Sequence, residues 1–379
     1  MRKSNFYLPG LLAAAFIIMG ITACQKEQLL IETGHEHPEL NGIDLEIINY
    51  LIAMGVDPDE IEMAEHYCIA EGDIAIDKVA LLSFLNSNPQ EIAPPQNSLV
   101  HERQYGVSSG TMAVSAAKVA AIKFYVHPTV NNCQNPTAWI SAITTGTQNW
   151  TNISNCRVKF TQVYSSGSAD LIISSDEASN TFLPSSLINL PSSVLARTKF
   201  PAPTLGTVCK FISIRKGGNP TNRVNAIMHE LGHALGYFHT NGSDGTLIHG
   251  TPTTDNSSVM YQITSSNTTF TNGDLRAARL FYPDIILMPG GFNALPDGVR
   301  RVKIVISSPP TSYPIYWLNY EIWNSTGYTR LSSGDIKCNS TTFFLEGISP
   351  GTYKFRVRGQ NYKKDVQSDF TSFKTVTVP

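Results

Sequence analysis

The chain has 379 residues, 42% hydrophobic and 15% charged, enough for two or three domains with buried cores. A net charge of −2 gives no basic footprint of the kind that binds nucleic acid. The charge is uneven: residues 25–100 hold 15 of the 30 acidic residues against Lys26 and Lys78, a net of −13, whereas residues 101–379 hold 15 acidic and 24 basic residues, a net of +9.

Arg2 and Lys3 precede an apolar run over 11–21, which is short for a membrane span. Ile21-Thr22-Ala23-Cys24 resembles a bacterial lipobox, so residues 1–23 are expected to be a lipoprotein signal peptide and Cys24 the lipidated first residue of the mature chain. Gln25-Lys26-Glu27 resembles the acidic surface-export tag of Bacteroidota lipoproteins. Together these imply a protein held in the cell envelope of a Gram-negative bacterium, at the outer membrane or cell surface. Its membrane contact would be through lipid rather than a spanning helix. The alternative is an ordinary signal peptide that ends near a cysteine.

Residues 24–103 read as an acidic tether and pro-segment. Helical apolar spacing occupies 41–54 and 57–66, a turn and short strand 71–76, and a further helix 77–86. Asn88-Pro89 and Ala93-Pro94-Pro95 mark a linker. Beyond it, a strand is expected over 119–126. Pro136 starts a helix running to about 152, with Trp139, Ile140, Ile143 and Trp150 as its apolar stripe. Strands follow over 157–164, 169–173, 194–200 (an edge strand) and 207–214. Gly217-Gly218-Asn219-Pro220 breaks the last of them, and Thr221 or Asn222 caps the next helix.

That helix carries His229-Glu230-Leu231-Gly232-His233, followed by Gly236 and His239. His229 and His233 lie four residues apart on one helical face and can reach one metal. Glu230 can hold a water beside it. Gly236 permits a left-handed turn that returns His239 as a third nitrogen ligand. Three protein ligands and an open fourth position describe a catalytic zinc, whereas structural zinc is closed by four. The bland reading is a helix with two surface histidines. Met260 follows a polar, Gly-rich loop, and a final helix spans about 272–281, ended by Tyr282-Pro283.

The long histidine motif with a later methionine resembles the metzincins, whose Met-turn lies beneath the zinc ligands; Met260 would fill that place. Residues 104–283 resemble more narrowly the dual-action HEIGH metallo-peptidases of bacteria. The matching stretches are Asn225-Ala226-Ile227-Met228 before the motif, Gly250-Thr251-Pro252-Thr253, Ser258-Val259-Met260, and Phe270-Thr271-Asn272-Gly273-Asp274-Leu275 with Leu280-Phe281-Tyr282-Pro283. The resemblance implies an α+β zincin domain over 104–285: a twisted mixed sheet, an active-site helix and a C-terminal helix. It also implies one catalytic zinc on His229, His233 and His239, with Glu230 as general base and a protein or peptide as substrate. Tyr261 follows Met260 directly, whereas astacin-like and serralysin-like enzymes place a zinc-reaching Tyr two residues on, so Tyr261 is not assigned as a ligand. Calcium is not decided by the sequence.

From about residue 289 the pattern turns to alternating strands, at 302–306, 316–323 and 352–358. Residues 344–353 resemble the E-to-F corner of fibronectin type III domains, and 289–379 suits an all-β sandwich. Among the cysteines, Cys133 and Cys156 flank the 136–152 helix and are the expected disulfide. Cys209 is expected as a buried thiol, and Cys338 stands alone. Cys68, in the acidic pro-segment, is a candidate latency switch if its thiolate fills the open zinc position; otherwise an Asp or plain steric cover serves. The sequence thus reads as a surface-anchored zinc metalloendopeptidase. The competing class is a surface binding or adhesion protein with a vestigial zinc domain.

Overall fold

A computed structural model describes residues 42–54, 58, 61–70, 72–87, 105–106, 114–199, 201, 206–241, 246–248, 251–252, 255–262, 266–307, 315–361 and 364–379. Helix α1 (Gly42–Met54) leads into a hairpin and third strand, β1 (Ile61–Met63), β2 (Tyr67–Ala70) and β3 (Ile74–Asp77), then α2 (Lys78–Ser87). After the short β4 (Tyr105–Gly106) and α3 (Ala116–Val119) come β5 (Ile122–Val126), α4 (Pro136–Thr151), β6 (Phe160–Gln162) and β7 (Leu171–Ser175). Next are β8 (Ala196–Lys199), β9 (Phe211–Ile214), α5 (Arg223–Ala234), β10 (Thr246–Leu247) and α6 (Asn272–Phe281).

Eight of these strands form one mixed sheet in the order β1-β2-β3-β8-β9-β7-β5-β6. The four strands β9, β7, β5 and β6 are parallel, and β8 runs antiparallel to β9. Parallel strands covered on both faces read as apolar runs, which is why every residue of β7 is buried. Helices α4 and α5 pack closely. A Cβ at Gly146 would stand 2.8 Å from Ile227 Cγ2, so the helices can approach only where α4 has no side chain. One apolar core runs from Ile47 and Leu51 of α1 through the sheet to Phe281 and Tyr282. The elements α1, β1, β2, β3 and α2 are therefore part of the folded unit.

Two sequence expectations fail here. Residues 57–66 were expected to be helical, but Ile61–Met63 pairs antiparallel with Cys68–Ala70 as a hairpin. And β8 is not an edge strand, because β3 pairs parallel with it through Ile74–Thr198 and Ala75–Lys199. The first pairing is a local hairpin and the second joins strands more than a hundred residues apart, and both use strands only three or four residues long.

The expected disulfide also fails. Cys133 and Cys156 are buried free thiols. They lie beyond opposite ends of α4 and do not pair. Burial pushes both thiols up to about 12.

The C-terminal strands are β11 (Asn293–Pro296), β12 (Arg301–Val305), β13 (Trp317–Asn324), β14 (Arg330–Lys337), β15 (Thr342–Glu346), β16 (Gly351–Gln360) and β17 (Lys374–Val378). They form a three-stranded sheet β11-β12-β15 and a four-stranded sheet β14-β13-β16-β17. A second core between them, including Val302, Ile304, Leu318, Phe355 and Val357, makes this an all-β sandwich. Among the described residues, no helix is long and apolar enough to cross a membrane. Cys24 and the whole leader lie outside the described residues.

Candidate metal centre

Helix α5 buries every residue from Asn225 to Ala234. His229 and His233 project from it one turn apart. Gly236 then takes φ +95°, a conformation closed to most residues with a Cβ, and Tyr237 N–H bonds back to Gly232 O at 3.1 Å. The chain doubles back and delivers His239. The three Nε2 atoms converge: 2.9 Å between His229 and His233, 3.0 Å between His229 and His239, and 3.2 Å between His233 and His239.

The tautomers follow from the outer nitrogens. His229 Nδ1 lies 2.7 Å from Val259 O and His233 Nδ1 lies 2.7 Å from Tyr237 O. A carbonyl oxygen only accepts, so Nδ1 carries the proton and Nε2 presents a lone pair. Burial, followed by the charge of His229, lowers the His233 pKa well below its ordinary value and keeps that ring neutral.

Asp73 completes the cluster. It stands just ahead of β3, with Oδ2 at 3.3 Å from both His229 Nε2 and His239 Nε2 and Oδ1 at 3.7 Å from His233 Nε2. Asp73 and the three histidines are a group able to hold a metal ion. Lone pairs and a carboxylate facing one another repel unless a cation lies between them, and Asp73 Oδ1 is buried with no hydrogen-bond partner among the described residues. The nitrogen separations of 2.9–3.2 Å also approach the about 3.3 Å that tetrahedral zinc requires with Zn–N near 2.0–2.1 Å. The donors therefore fit zinc.

Glu230 lies at 3% exposure beside this cluster, and its Oε2 accepts a hydrogen bond from the Thr198 hydroxyl of β8. Burial, and then the charge of Asp73, raise its carboxyl well above the usual range. Beneath the histidines, Met260 packs under α5. Ser258 Oγ donates to Asp274 Oδ1 at 2.6 Å, and Val259 N donates to Asp274 Oδ2 at 3.2 Å. Asp274 also closes the capping box of α6 with Thr271. One carboxylate thus ties the start of α6 to the turn whose Val259 carbonyl orients His229. Burial pushes the Asp274 acid up to about 6.

Gly232 is small for a visible reason. A Cβ there would fall 2.2 Å from Met260 Sδ and 3.5 Å from Trp150 Cζ2. Gly232→Ala should gain about 1 kcal/mol of helix propensity and lose about 1–3 kcal/mol to overpacking, because Met260 is itself only 4% exposed and has no room to retreat. We expect a lower midpoint in thermal unfolding; an unchanged or raised midpoint would show that Met260 can move aside.

Cys68 is not in the cluster. It pairs with Ile76 inside the hairpin, its Sγ lies 3.9 Å from Ile76 O, and burial pushes the thiol up to about 12, far from a thiolate. Asp73, five residues further on, stands in the place expected of Cys68. Sequence reasoning also missed Thr198 and Arg197; the latter puts Nε 3.0 Å from Gly72 O and Nη1 3.0 Å from Ser186 O. Gly72, at φ +82°, was the one available signal of a tight turn before Asp73.

No family model matches the chain, and no curated protein matches it. Solved structures similar to it include the FN5 domain of Drosophila Lar, at 15% identity and TM-score 0.21, covering 25% of this chain and 98% of that one. The third fibronectin III domain of human KIAA0343 protein is similar at 15% identity and TM-score 0.22, covering 25% of this chain and 85% of that one. The fn3 domain of human collagen alpha-1(XX) chain is similar at 9% identity and TM-score 0.22, covering 25% and 90%.

Proposed function

We propose that the chain is a zinc metalloendopeptidase. The observation that carries this reading is the convergence of three histidine Nε2 atoms with a buried glutamate, Glu230, beside them and outside the ligand set. The resemblance of the histidine motif and Met260 to metzincins supports it. His229, His233 and His239 would hold the zinc. When bound, zinc supplies Lewis acidity that brings a water's pKa toward neutrality and polarises a carbonyl oxygen. Glu230 accepts the water's proton on its carboxylate and passes it to the leaving amine. Thr198 fixes the Glu230 carboxylate through Oε2, and the carbonyls of Val259 and Tyr237 fix the two rings from behind.

A second reading has one observation in its favour. Asp73 gives the cluster four protein donors, and a closed set is the mark of structural zinc. In that reading the protein is a surface binding or adhesion protein. Glu230 weighs against it, because a purely structural site has no use for a buried carboxylate held just beside the ligands. Casein incubated with the zinc-loaded protein, cut between Ser87 and Tyr105, separates the two: new amino termini in casein support the peptidase, and none supports the binding protein.

Lipid attachment at Cys24, and with it placement at the outer membrane or cell surface, is likewise a proposal, resting on the Ile21–Ala23 context. Cys24→Ser should move the protein from the membrane fraction to the soluble fraction. Unchanged fractionation would mean that the leader acts in another way.

A further inference from the structure

In the sandwich, alternation along β13 and β16 turns Leu318, Ile322, Phe355 and Val357 into the core. The residues between them share the opposite face: Asn319, Glu321 and Trp323 on β13, beside Arg358, Arg356 and Lys354 on β16. Asp335 and Lys337 of β14 continue that face on the other side of β13. Arg330, Lys337, Lys354, Arg356, Arg358 and Lys364 bring six cations to it, against two carboxylates, Glu321 and Asp335. Side chains two residues apart on a strand stand about 7 Å apart, so Lys354, Arg356 and Arg358 form a straight row about 14 Å long.

Aromatic rings hold this row in place. The Arg356 guanidinium carbon stands 4.3 Å from the ring centre of Phe370, 4.9 Å from that of Trp323 and 5.0 Å from that of Phe373. The Arg358 guanidinium shares Phe370, at 4.5 Å. Arg356 Nε donates to Glu321 Oε2 at 2.6 Å, and Arg358 Nε donates to Asn319 Oδ1 at 3.1 Å. Lys354 Nζ donates to Thr326 O at 3.0 Å. Each guanidinium is thus fixed by its Nε and by a ring against its plane. The Nη groups of both arginines meet no acceptor among the described residues. Stacking alone accounts for the rings, but not for unpaired donors or for the excess of positive charge.

We propose that this face binds an anionic polysaccharide, one that carries carboxylate or sulfate groups at regular intervals. The Nη pairs of Arg356 and Arg358 are preorganised forks for planar or tetrahedral oxyanions. A row about 14 Å long exceeds what one small anion can span, which calls for a polymer. An acidic peptide cannot add to this sheet through its backbone here, because β16 is already paired with β13 on one side and β17 on the other. The rings facing the row lie under guanidinium groups and are not free to enter a lipid layer. Phe373, 37% exposed, offers an apolar surface beside the forks on which the C–H face of a sugar ring can rest. The inference does not depend on the metal centre.

The test is calorimetric titration of the full chain with dextran sulfate and with polygalacturonate, against neutral dextran and polyglutamate. Wild type is expected to bind at least one of the two anionic polysaccharides saturably, and dextran not at all. Arg358→Gln and Lys354→Gln should each weaken that binding about tenfold, the loss expected for a charge-assisted contact. Neither substitution touches the bonds of Glu321, so the two variants should keep the melting temperature of wild type; the second serves should the first fold poorly. Lys123→Gln removes an equal charge from β5, away from this face, and should bind like wild type. Absence of saturable binding to both anionic polysaccharides overturns the proposal. So does an equal loss in Lys123→Gln, which would make the attraction one of overall charge. Polyglutamate bound as tightly as the polysaccharides also overturns it, in favour of an acidic protein partner.

Discussion

Glu230→Gln is expected to keep its zinc and its fold and to lose peptide hydrolysis by about two orders of magnitude or more, the usual contribution of a general base. The substitution preserves side-chain volume at a site only 3% exposed, and the amide oxygen can still accept from Thr198. What it removes is a group that can take a proton from water and return it to an amine. The effect should fall on turnover rather than on substrate affinity, because β8 and the histidine cluster are untouched. Both proteins are compared after the same cut between Ser87 and Tyr105. Near-normal hydrolysis by the variant would assign the proton transfer to another group.

His233→Ala should abolish stoichiometric zinc binding. His233 is fully buried, oriented by Tyr237 O and convergent with His229 and His239, so its loss leaves two imidazoles and a carboxylate as the donors. Metal analysis should find one zinc per wild-type chain and little in the variant. A second consequence is thermodynamic. Zinc at about a thousandfold its dissociation constant stabilises the folded state by about 4 kcal/mol. Chelator should therefore lower the melting temperature of wild type and leave that of His233→Ala unmoved. Equal zinc contents, or equal chelator sensitivity, would place the metal elsewhere.

The histidine-bearing helix was legible because its donors are local. Two ligands at one helical turn, a glycine where φ must be positive and a third histidine three residues on describe a site within eleven consecutive residues. Met260 was singled out only through the resemblance; in the structure Asp274 bonds Ser258 and Val259, and Met260 lies against Gly232. The sandwich strands were legible by alternation. Asp73 was not, because one aspartate in an acidic segment has no distinguishing neighbours until β3 is laid along β8, more than a hundred residues away. Cys68 drew attention through thiolate chemistry, yet it lies buried in β2 as part of the main apolar core. The 61–70 hairpin read as a helix because Ile61 and Ala64 share helical spacing, and strands this short carry too few residues to show a period of two.

The most direct test of the central claim is casein cleavage by the protein cut between Ser87 and Tyr105, followed with zinc content through one cycle of chelation and restoration. The account predicts that cleavage disappears as zinc is withdrawn and returns in proportion as one equivalent is restored. Cleavage that persists after the zinc is gone, or a fully zinc-loaded cut protein that leaves casein intact, would contradict it.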